Sequence, residues 1–118
     1  MTRPASMEEA APAPEYLYLT TRGRHSGQRR EIEIWFTERA GRYYVIAEHG
    51  DTAQWVQNLR ADESVRVRVG GRPFGARARV VDGATDRDLG AAIRALSEAK
   101  YGWGDGLVVE LTLLCLTP

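Results

Sequence analysis

Cysteine and long apolar stretches are scarce in this sequence of 118 residues. The one cysteine, Cys115, excludes an internal disulfide, and its apolar surroundings at 113–116 predict a small buried side chain rather than a nucleophile. No apolar run approaches the length of a membrane-spanning helix, and residues 1–14 lack the basic and apolar regions of a signal peptide. We therefore expect a cytoplasmic protein with no integral membrane segment.

The sequence also lacks net charge and is poor in lysine. Sixteen acidic and sixteen basic residues cancel, and Lys100 is the one lysine beside fifteen arginines. A neutral protein has no global field to attract nucleic acid or an anionic membrane, so any anion binding must be local. Arginine provides planar, forked donors that suit carboxylates and phosphates.

Motifs of metal binding and nucleophilic catalysis are missing too. There is no paired-cysteine motif, and the two histidines, His25 and His49, are too few for a typical zinc site. Neither a Gly-x-Ser-x-Gly elbow nor a P-loop is present. We therefore predict no metal and no catalytic nucleophile, and we assign no catalytic residue.

The hydrophobic pattern predicts a mainly β domain. Residues 1–14, rich in proline and alanine, are expected to form a poorly ordered lead-in to a single domain at 15–118. Turns are predicted at Ala40-Gly41, which would join the second and third strands, and at Gly70-Gly71. The six predicted antiparallel strands cover residues 16–21, 31–36, 43–47, 65–69, 74–81 and 107–116. Two helices interrupt this meander, which favours a β-barrel with plugged ends over a sandwich.

Each predicted helix has candidate end signals. Asp51 or Thr52 would cap the first helix, with Gln54 in capping-box position relative to Asp51. Thr85 would cap the second helix, which should end before Gly102.

The loop Gly23–Arg30 carries the densest functional signal. Its two glycines allow backbone N–H groups to form an anion nest, Ser26 adds a hydroxyl donor, and the arginines add charged donors. A phosphate suits this combination, although a solvated polar hairpin loop is an alternative. The stretch 47–50 precedes the first helix and is expected to face the same ligand. His49 alone is also consistent with a structural hydrogen-bonding role.

Two motifs resemble those of the deazaflavin-dependent nitroreductase and F(420)H(2)-dependent quinone reductase family of the FMN-binding split-barrel superfamily. The first is Thr-Thr-x-Gly-Arg-x-Ser-Gly-x-x-Arg at 20–30, and the second is Trp-x-x-Asn-Leu at 55–59. The resemblance spans most of the chain and implies a six-stranded split β-barrel that binds coenzyme F(420), with FMN as the alternative. It places Arg24, His25, Ser26, Gly27 and Arg30 along the phosphate and acidic tail of the cofactor. It places Ala47, Glu48, His49, Gly50 and Trp55 beside the phosphate or the ring.

The resemblance implies hydride transfer from the reduced cofactor to a small acceptor, either quinone-like, nitro-containing or otherwise electron-poor. A homodimer is expected, because small split barrels commonly build the cofactor cleft from two copies. The segment 100–106 is short and glycine-rich, and Tyr101 and Trp103 would either form a wall of the site or plug the barrel mouth. A non-catalytic flavin or deazaflavin carrier is therefore an alternative.

A third, weaker hypothesis is an RNA-binding barrel. Four arginines are predicted on one face of the hairpin around Gly70-Gly71, namely Arg66, Arg68, Arg77 and Arg79. No aromatic residues alternate with them as stacking platforms would require. We therefore prefer a solvated or dimer-interface face that Glu31 and Glu33 balance, and we predict no nucleic-acid partner.

Overall fold

The structure is a computed structural model that describes residues 16–114. The predicted lead-in, Cys115 and the end of the last predicted strand lie outside these residues. The described chain contains the strands β1 (Tyr16–Arg22), β2 (Arg29–Trp35), β3 (Thr37–Arg39), β4 (Arg42–Ala47), β5 (Ser64–Val69), β6 (Arg72–Val80) and β7 (Leu107–Leu113). Its helices are a short 3-10 helix (Gly50–Thr52), α1 (Gln54–Ala61) and α2 (Arg87–Tyr101). The mainly β fold with two α-helices is confirmed, with seven strands in the described part instead of six.

The strand order shows how the sheet closes. All seven strands form one antiparallel sheet in the order β2-β1-β5-β6-β7-β4-β3. β2 and β3 therefore occupy opposite edges, yet only Phe36 separates them in the chain. Trp35 and Thr37 can therefore lie no more than about 7 Å apart, so the sheet must curl until its two edges meet. This curled sheet confirms the predicted split-barrel architecture.

The extra strand corrects one predicted pairing. β4 pairs with β3 and β7, not with the second strand as the Ala40-Gly41 turn suggested. That turn is present, with φ of 54° and 78°, but it joins β3 to β4. The cause is Phe36, which is buried where the chain leaves one edge of the sheet for the other. The predicted Gly70-Gly71 turn does join β5 to β6, with both residues at positive φ.

Two apolar clusters lie on the two faces of the sheet. The larger one fills the inside of the curl, where Leu59 of α1 packs against residues such as Leu19 and Val67. The smaller one lies under α2 and is centred on Ile93, which is fully buried. Burial of one such aliphatic side chain stabilises the fold by about 1.5–3 kcal/mol. The helices therefore cover the inside and the outside of the curled sheet.

A buried carboxylate joins three strands beneath α2. Glu110 on β7 accepts a hydrogen bond from Tyr44 Oη at 2.8 Å and another from Arg79 Nε at 3.1 Å. Arg79 also donates to Asp86 at 2.8 Å, just before α2 begins. Burial raises the pKa of Glu110, but the hydrogen bonds from Arg79 and Tyr44 outweigh it and hold the pKa below its usual value.

The predicted N-caps are wrong, whereas the predicted end of the second helix is right. α1 and α2 begin after Ala53 and Asp86, and neither residue caps its helix with a side-chain hydrogen bond. Asp51 instead forms an ion pair with Arg60 at 2.6 Å, which takes its carboxylate away from the helix start. α2 ends at Gly102, which has a φ of 78°. Neither these helices nor any other in the described chain is long and apolar enough to cross a membrane.

Candidate functional site

A cleft opens where the sheet fails to close completely. β3 is short and pairs only with the first half of β4, up to Tyr44. The second half of β4 therefore faces β2 across a gap, and no strand pairing joins the two within residues 16–114. The gap is a cleft of about 650 Å³. It is lined by Tyr16, Ile32, Glu33, Ile34, Trp35, Ile46, Ala47, Glu48, His49, Ala53, Trp55 and Trp103.

Aromatic rings form one wall of this cleft. Trp35 stacks on Tyr101 with ring centroids 4.5 Å apart and the planes within 2°, and Trp103 lies edge-on to Trp35 at 6.3 Å. The Tyr101 hydroxyl donates to the carbonyl of Phe36 at 2.8 Å and accepts from its N–H at 3.1 Å. Tyr101 thus fixes both the Trp35 ring and the chain that links β2 to β3. Trp103 lines the cleft, whereas Tyr101 stacks on Trp35 and is not among the lining residues.

The ionisable groups of the cleft lie at its rim. Glu33 accepts a hydrogen bond from the Tyr18 hydroxyl at 2.7 Å, and this bond raises the pKa of Tyr18. The Glu48 and His49 side chains approach each other only to 4.0 Å and are about 70% and 76% exposed. Among the described residues that line the cleft, none forms a buried acid–base pair. The geometry suits a site where a bound cofactor supplies the chemistry and the protein supplies apolar walls.

The loop between β1 and β2 is closed by its own backbone. The N–H of Gly23 donates to the Gln28 carbonyl at 2.7 Å, and the N–H of Gly27 donates to the Gly23 carbonyl at 2.8 Å. Ser26 Oγ accepts from the N–H of Gln28 at 3.1 Å, and a Cβ at position 23 would lie only 2.8 Å from this oxygen. The glycines therefore shape the loop, and their N–H groups are not free to form the predicted anion nest.

Asn58 connects the two sequence motifs and is a residue that the sequence analysis did not select. Its Oδ1 accepts from the Arg24 N–H at 3.2 Å and from Arg24 Nη1 at 2.8 Å. Asn58 is 4% exposed and lies one turn after Trp55 on α1. The loop is thus tied to the helix whose first turn lines the cleft. The signal for Asn58 was its place inside the second motif.

The structure divides the predicted cofactor residues into two groups. Ala47, Glu48, His49 and Trp55 line the cleft, and Gly50 follows them at the start of the 3-10 helix. The loop residues Arg24, His25, Ser26 and Gly27, together with Arg30, do not line it.

Arg30 continues the strand that supplies one side of the cleft. Side chains alternate along a strand, so Arg30 shares a face of β2 with Ile32 and Ile34 and lies about 7 Å beyond Ile32. Within residues 16–114 no ion pair engages it. An elongated ligand that lies along β2 would therefore pass from apolar walls to a basic end.

Four lining residues from β2 were also missed as site residues, namely Ile32, Glu33, Ile34 and Trp35. Their alternation predicted a half-buried strand, and Ile32 and Ile34 do pack partly against the core. The sequence carried no signal that the edge of this strand borders a gap, because the gap depends on where β3 stops pairing.

The curled sheet and its open edge define a split-barrel fold, and comparisons with solved structures agree. The chain resembles the heme storage protein HutZ of Vibrio cholerae (TM-score 0.71, 18% identity, 86% of this chain and 83% of that chain). It also resembles the F(420)-H(2) dependent reductase FDR-A (TM-score 0.63, 22% identity, 83% and 93%). A further structure, a domain-swapped dimer, matches with a TM-score of 0.61, 21% identity and coverage of 92% and 87%. At these identities the similarity shows the fold alone.

Residues 5–105 match the family model described as F(420)H(2)-dependent quinone reductase. This chain therefore belongs to the F(420)H(2)-dependent quinone reductase family, which confirms the family resemblance of its two motifs. The comparison with curated proteins gave no match.

Proposed function

We propose that this protein is an F(420)H(2)-dependent oxidoreductase that reduces a quinone-like or nitro-containing acceptor. The observation that carries the proposal is the family match over residues 5–105, combined with an aromatic-walled cleft that Trp55 of the second motif lines. FMN is the alternative cofactor, because the fold superfamily that the motifs resemble also binds flavins.

The cleft suits the ring system of the cofactor. Trp35, Trp55 and Trp103 offer flat apolar surface, and Ile32 and Ile34 form the adjoining strand wall. A planar tricyclic ring buries apolar area against such walls and excludes water from them. We place Ala47, Glu48, His49 and Gly50 along the edge of the ring or its phosphate.

The basic end suits the phosphate and acidic tail. We place the tail along Arg30 and the loop residues Arg24, His25, Ser26 and Gly27, beyond the apolar part of β2. Forked guanidinium groups bind phosphate and carboxylate oxygens with charge-assisted hydrogen bonds. Because Arg24 already donates to Asn58, its remaining N–H groups are the ones available to the tail.

The cofactor, when bound in reduced form, supplies a hydride. The residues of the chain would hold the ring, orient its reacting face toward the acceptor and keep water away. No side-chain nucleophile is required, which agrees with the cleft residues described above.

Ligand binding tests the proposal. F(420) at saturating concentration should raise the unfolding temperature, because a ligand that binds only the folded state stabilises it. Trp103→Ala, which removes one ring of the wall, should weaken F(420) binding, whereas the matched change Tyr43→Ala, away from the cleft lining, would report only on folding. FMN and FAD serve as competing ligands. If none of the three raises the unfolding temperature of the wild-type protein, the proposal fails.

A non-catalytic carrier is the second candidate, and the segment after α2 favours it. A Cβ at Gly104 would collide with the Arg94 carbonyl, and one at Gly106 would collide with the Ala47 carbonyl. The segment is therefore packed tightly against the body of the protein and provides no lid over the cleft apart from Trp103. An open site leaves a reduced cofactor accessible to water. Steady-state oxidation of reduced F(420) with menadione distinguishes the two: turnover supports the reductase, and binding without turnover supports the carrier.

We also propose that the protein forms a homodimer that covers the cleft mouth. Tyr16 and Trp35 line the cleft, are 41% and 38% exposed, and are paired on neighbouring strands, so they present adjacent apolar surface to solvent. A second copy would bury them. Analytical ultracentrifugation of the wild type and of Trp35→Ser should show a dimer that the variant weakens, and a monomeric wild type would contradict the proposal.

A further inference from the structure

A second cavity, separate from the cleft, lies at the other end of the β1–β2 hairpin. Its volume is about 430 Å³, and its walls come from β1, β2, β5, β6 and the segment after α1. It shares no lining residue with the cleft. The register pairs Tyr16 with Trp35 at the cleft end and Arg22 with Arg29 at the cavity end. Six strand residues separate the two ends, which corresponds to about 20 Å.

The cavity has an excess of positive charge. Arg22, Arg29 and Arg66 line it, and Asp62 is the one acidic residue among its lining residues. Arg22 lies 3.9 Å from Asp62, too far for a hydrogen bond. The remaining excess is local, because the protein as a whole is neutral.

Arg66 differs from the other arginines of its hairpin. The predicted stripe of four arginines is present on β5 and β6, and three of its members form ion pairs with neighbouring acids. These pairs are Arg68 with Glu31, Arg77 with Glu63, and Arg79 with both Asp86 and Glu110. Arg66 has no ion-pair partner within residues 16–114, and the same is true of Arg29. Two of the three arginines that line this cavity therefore have no ion-pair partner in the described chain.

Hydroxyl groups lie on the same face of the sheet as these arginines. Thr20 lines the cavity and is paired with Arg66 in the strand register, so the two side chains share that face. Ser64, two residues before Arg66 on β5, adds a second hydroxyl there. Thr21 also lines the cavity, but it is 2% exposed and shares the inner face with Leu19, so its hydroxyl points away from the arginines.

We infer that this cavity is an anion-binding site that takes a phosphoryl or carboxylate group. Arg29 and Arg66 would bind the anion through forked, charge-assisted hydrogen bonds, and Thr20, on the same face, would donate its hydroxyl. The anion has two conceivable sources. One is the acidic far end of the cofactor, an assignment that rests on the proposed function, and the other is a separate phosphorylated or carboxylate metabolite, which does not.

Binding of inorganic pyrophosphate, measured by calorimetry and by the shift in unfolding temperature, tests the site. Arg66→Gln should weaken pyrophosphate binding about tenfold or more, because it removes a charged donor. Thr20→Val should weaken binding several-fold while it leaves the ligand-free unfolding temperature unchanged or raised. The matched controls are Arg39→Gln and Thr37→Val, both on β3 at the opposite sheet edge. Both controls should bind pyrophosphate as the wild type does.

The source of the anion is tested with F(420) and with its chromophore lacking the phosphate and tail. If Arg66→Gln weakens binding of F(420) but not of the tail-less chromophore, the far end of the cofactor occupies the site. If it weakens only pyrophosphate, the site serves a separate anion. The site is overturned if two results coincide. The first is that pyrophosphate does not bind, or that Arg66→Gln leaves its binding unchanged, and the second is that Arg66→Gln also leaves F(420) binding unchanged. Failure of the wild type to bind F(420) would defeat the proposed function, while the pyrophosphate measurement would still decide this inference.

Discussion

Replacement of Asn58 by alanine is the most informative single perturbation of the candidate site. The substitution removes the acceptor of two hydrogen bonds from Arg24, one from the backbone N–H and one from the guanidinium. The neutral bond contributes roughly 0.5–1.5 kcal/mol, and the charged one about 1–2 kcal/mol because Arg24 is partly exposed. We therefore expect a loss of about 2–3 kcal/mol in the free energy of unfolding. For a domain of this size that loss lowers the unfolding temperature by about 8–12 °C.

The matched variant is Asn58→Asp, which keeps an oxygen acceptor at the same place and adds a charge opposite the guanidinium. It should retain most of the stability, whereas Gln54→Ala, at an exposed position in the first turn of the same helix, should change it little. The assay is thermal and urea unfolding of all three variants, together with their affinity for F(420). If Asn58→Asp proves as destabilising as Asn58→Ala, the loss does not come from the acceptor of Arg24. In that case the claim that this contact joins the two motifs is refuted.

Three further substitutions test other parts of the structure. Glu110→Gln should cost about 1–3 kcal/mol at pH 7. Because the folded pKa of Glu110 lies below its ordinary value of 4.5, its contribution is present above that pH and lost as the pH falls; urea titrations at pH 7 and pH 3 should show the difference from wild type shrinking in acid. Tyr101→Phe should cost about 1–2 kcal/mol by removing both hydrogen bonds to the backbone of Phe36, and an unchanged urea midpoint would argue against this anchor. Gly106→Ala should lower the free energy of unfolding by about 2 kcal/mol or more, since φ is 149° and the new Cβ would meet the carbonyl of Ala47 at the end of β4. The control is Gly83→Ala, which should have little effect on the unfolding temperature because no atom lies within 4 Å of its new Cβ.

Much of the fold was predictable from local patterns. The alternation in Val65–Val69 and the Gly70-Gly71 turn specified a hairpin because both signals are local. The break at Phe36 was not predictable in this way, since Ile32, Ile34 and Phe36 continue a strict alternation. The chain turns there because the two sheet edges meet, and that closure depends on strands far away in the sequence.

The candidate site was predictable in its motifs but not in its walls. Periodicity located the loop at 23–30 and the strand end at 47–50, and family resemblance connected them. Neither periodicity nor family resemblance showed that Gly23 and Gly27 use their N–H groups within the loop. Loop conformation depends on hydrogen bonds that sequence spacing does not encode. Asp51 failed as a predicted cap for a related reason, since it pairs with Arg60, nine residues further on.

The single residue between β2 and β3 has a mechanical consequence. Phe36 joins the two sides of the cleft at one end, and Tyr101 holds both of its backbone polar groups. We therefore expect the cleft to keep a constant width at the Phe36 end and to vary in width mainly at the opposite end. We expect a cleft held in this way to select ligands by thickness: a flat ring would reach the Phe36 end, whereas a puckered or branched group would stop near the mouth.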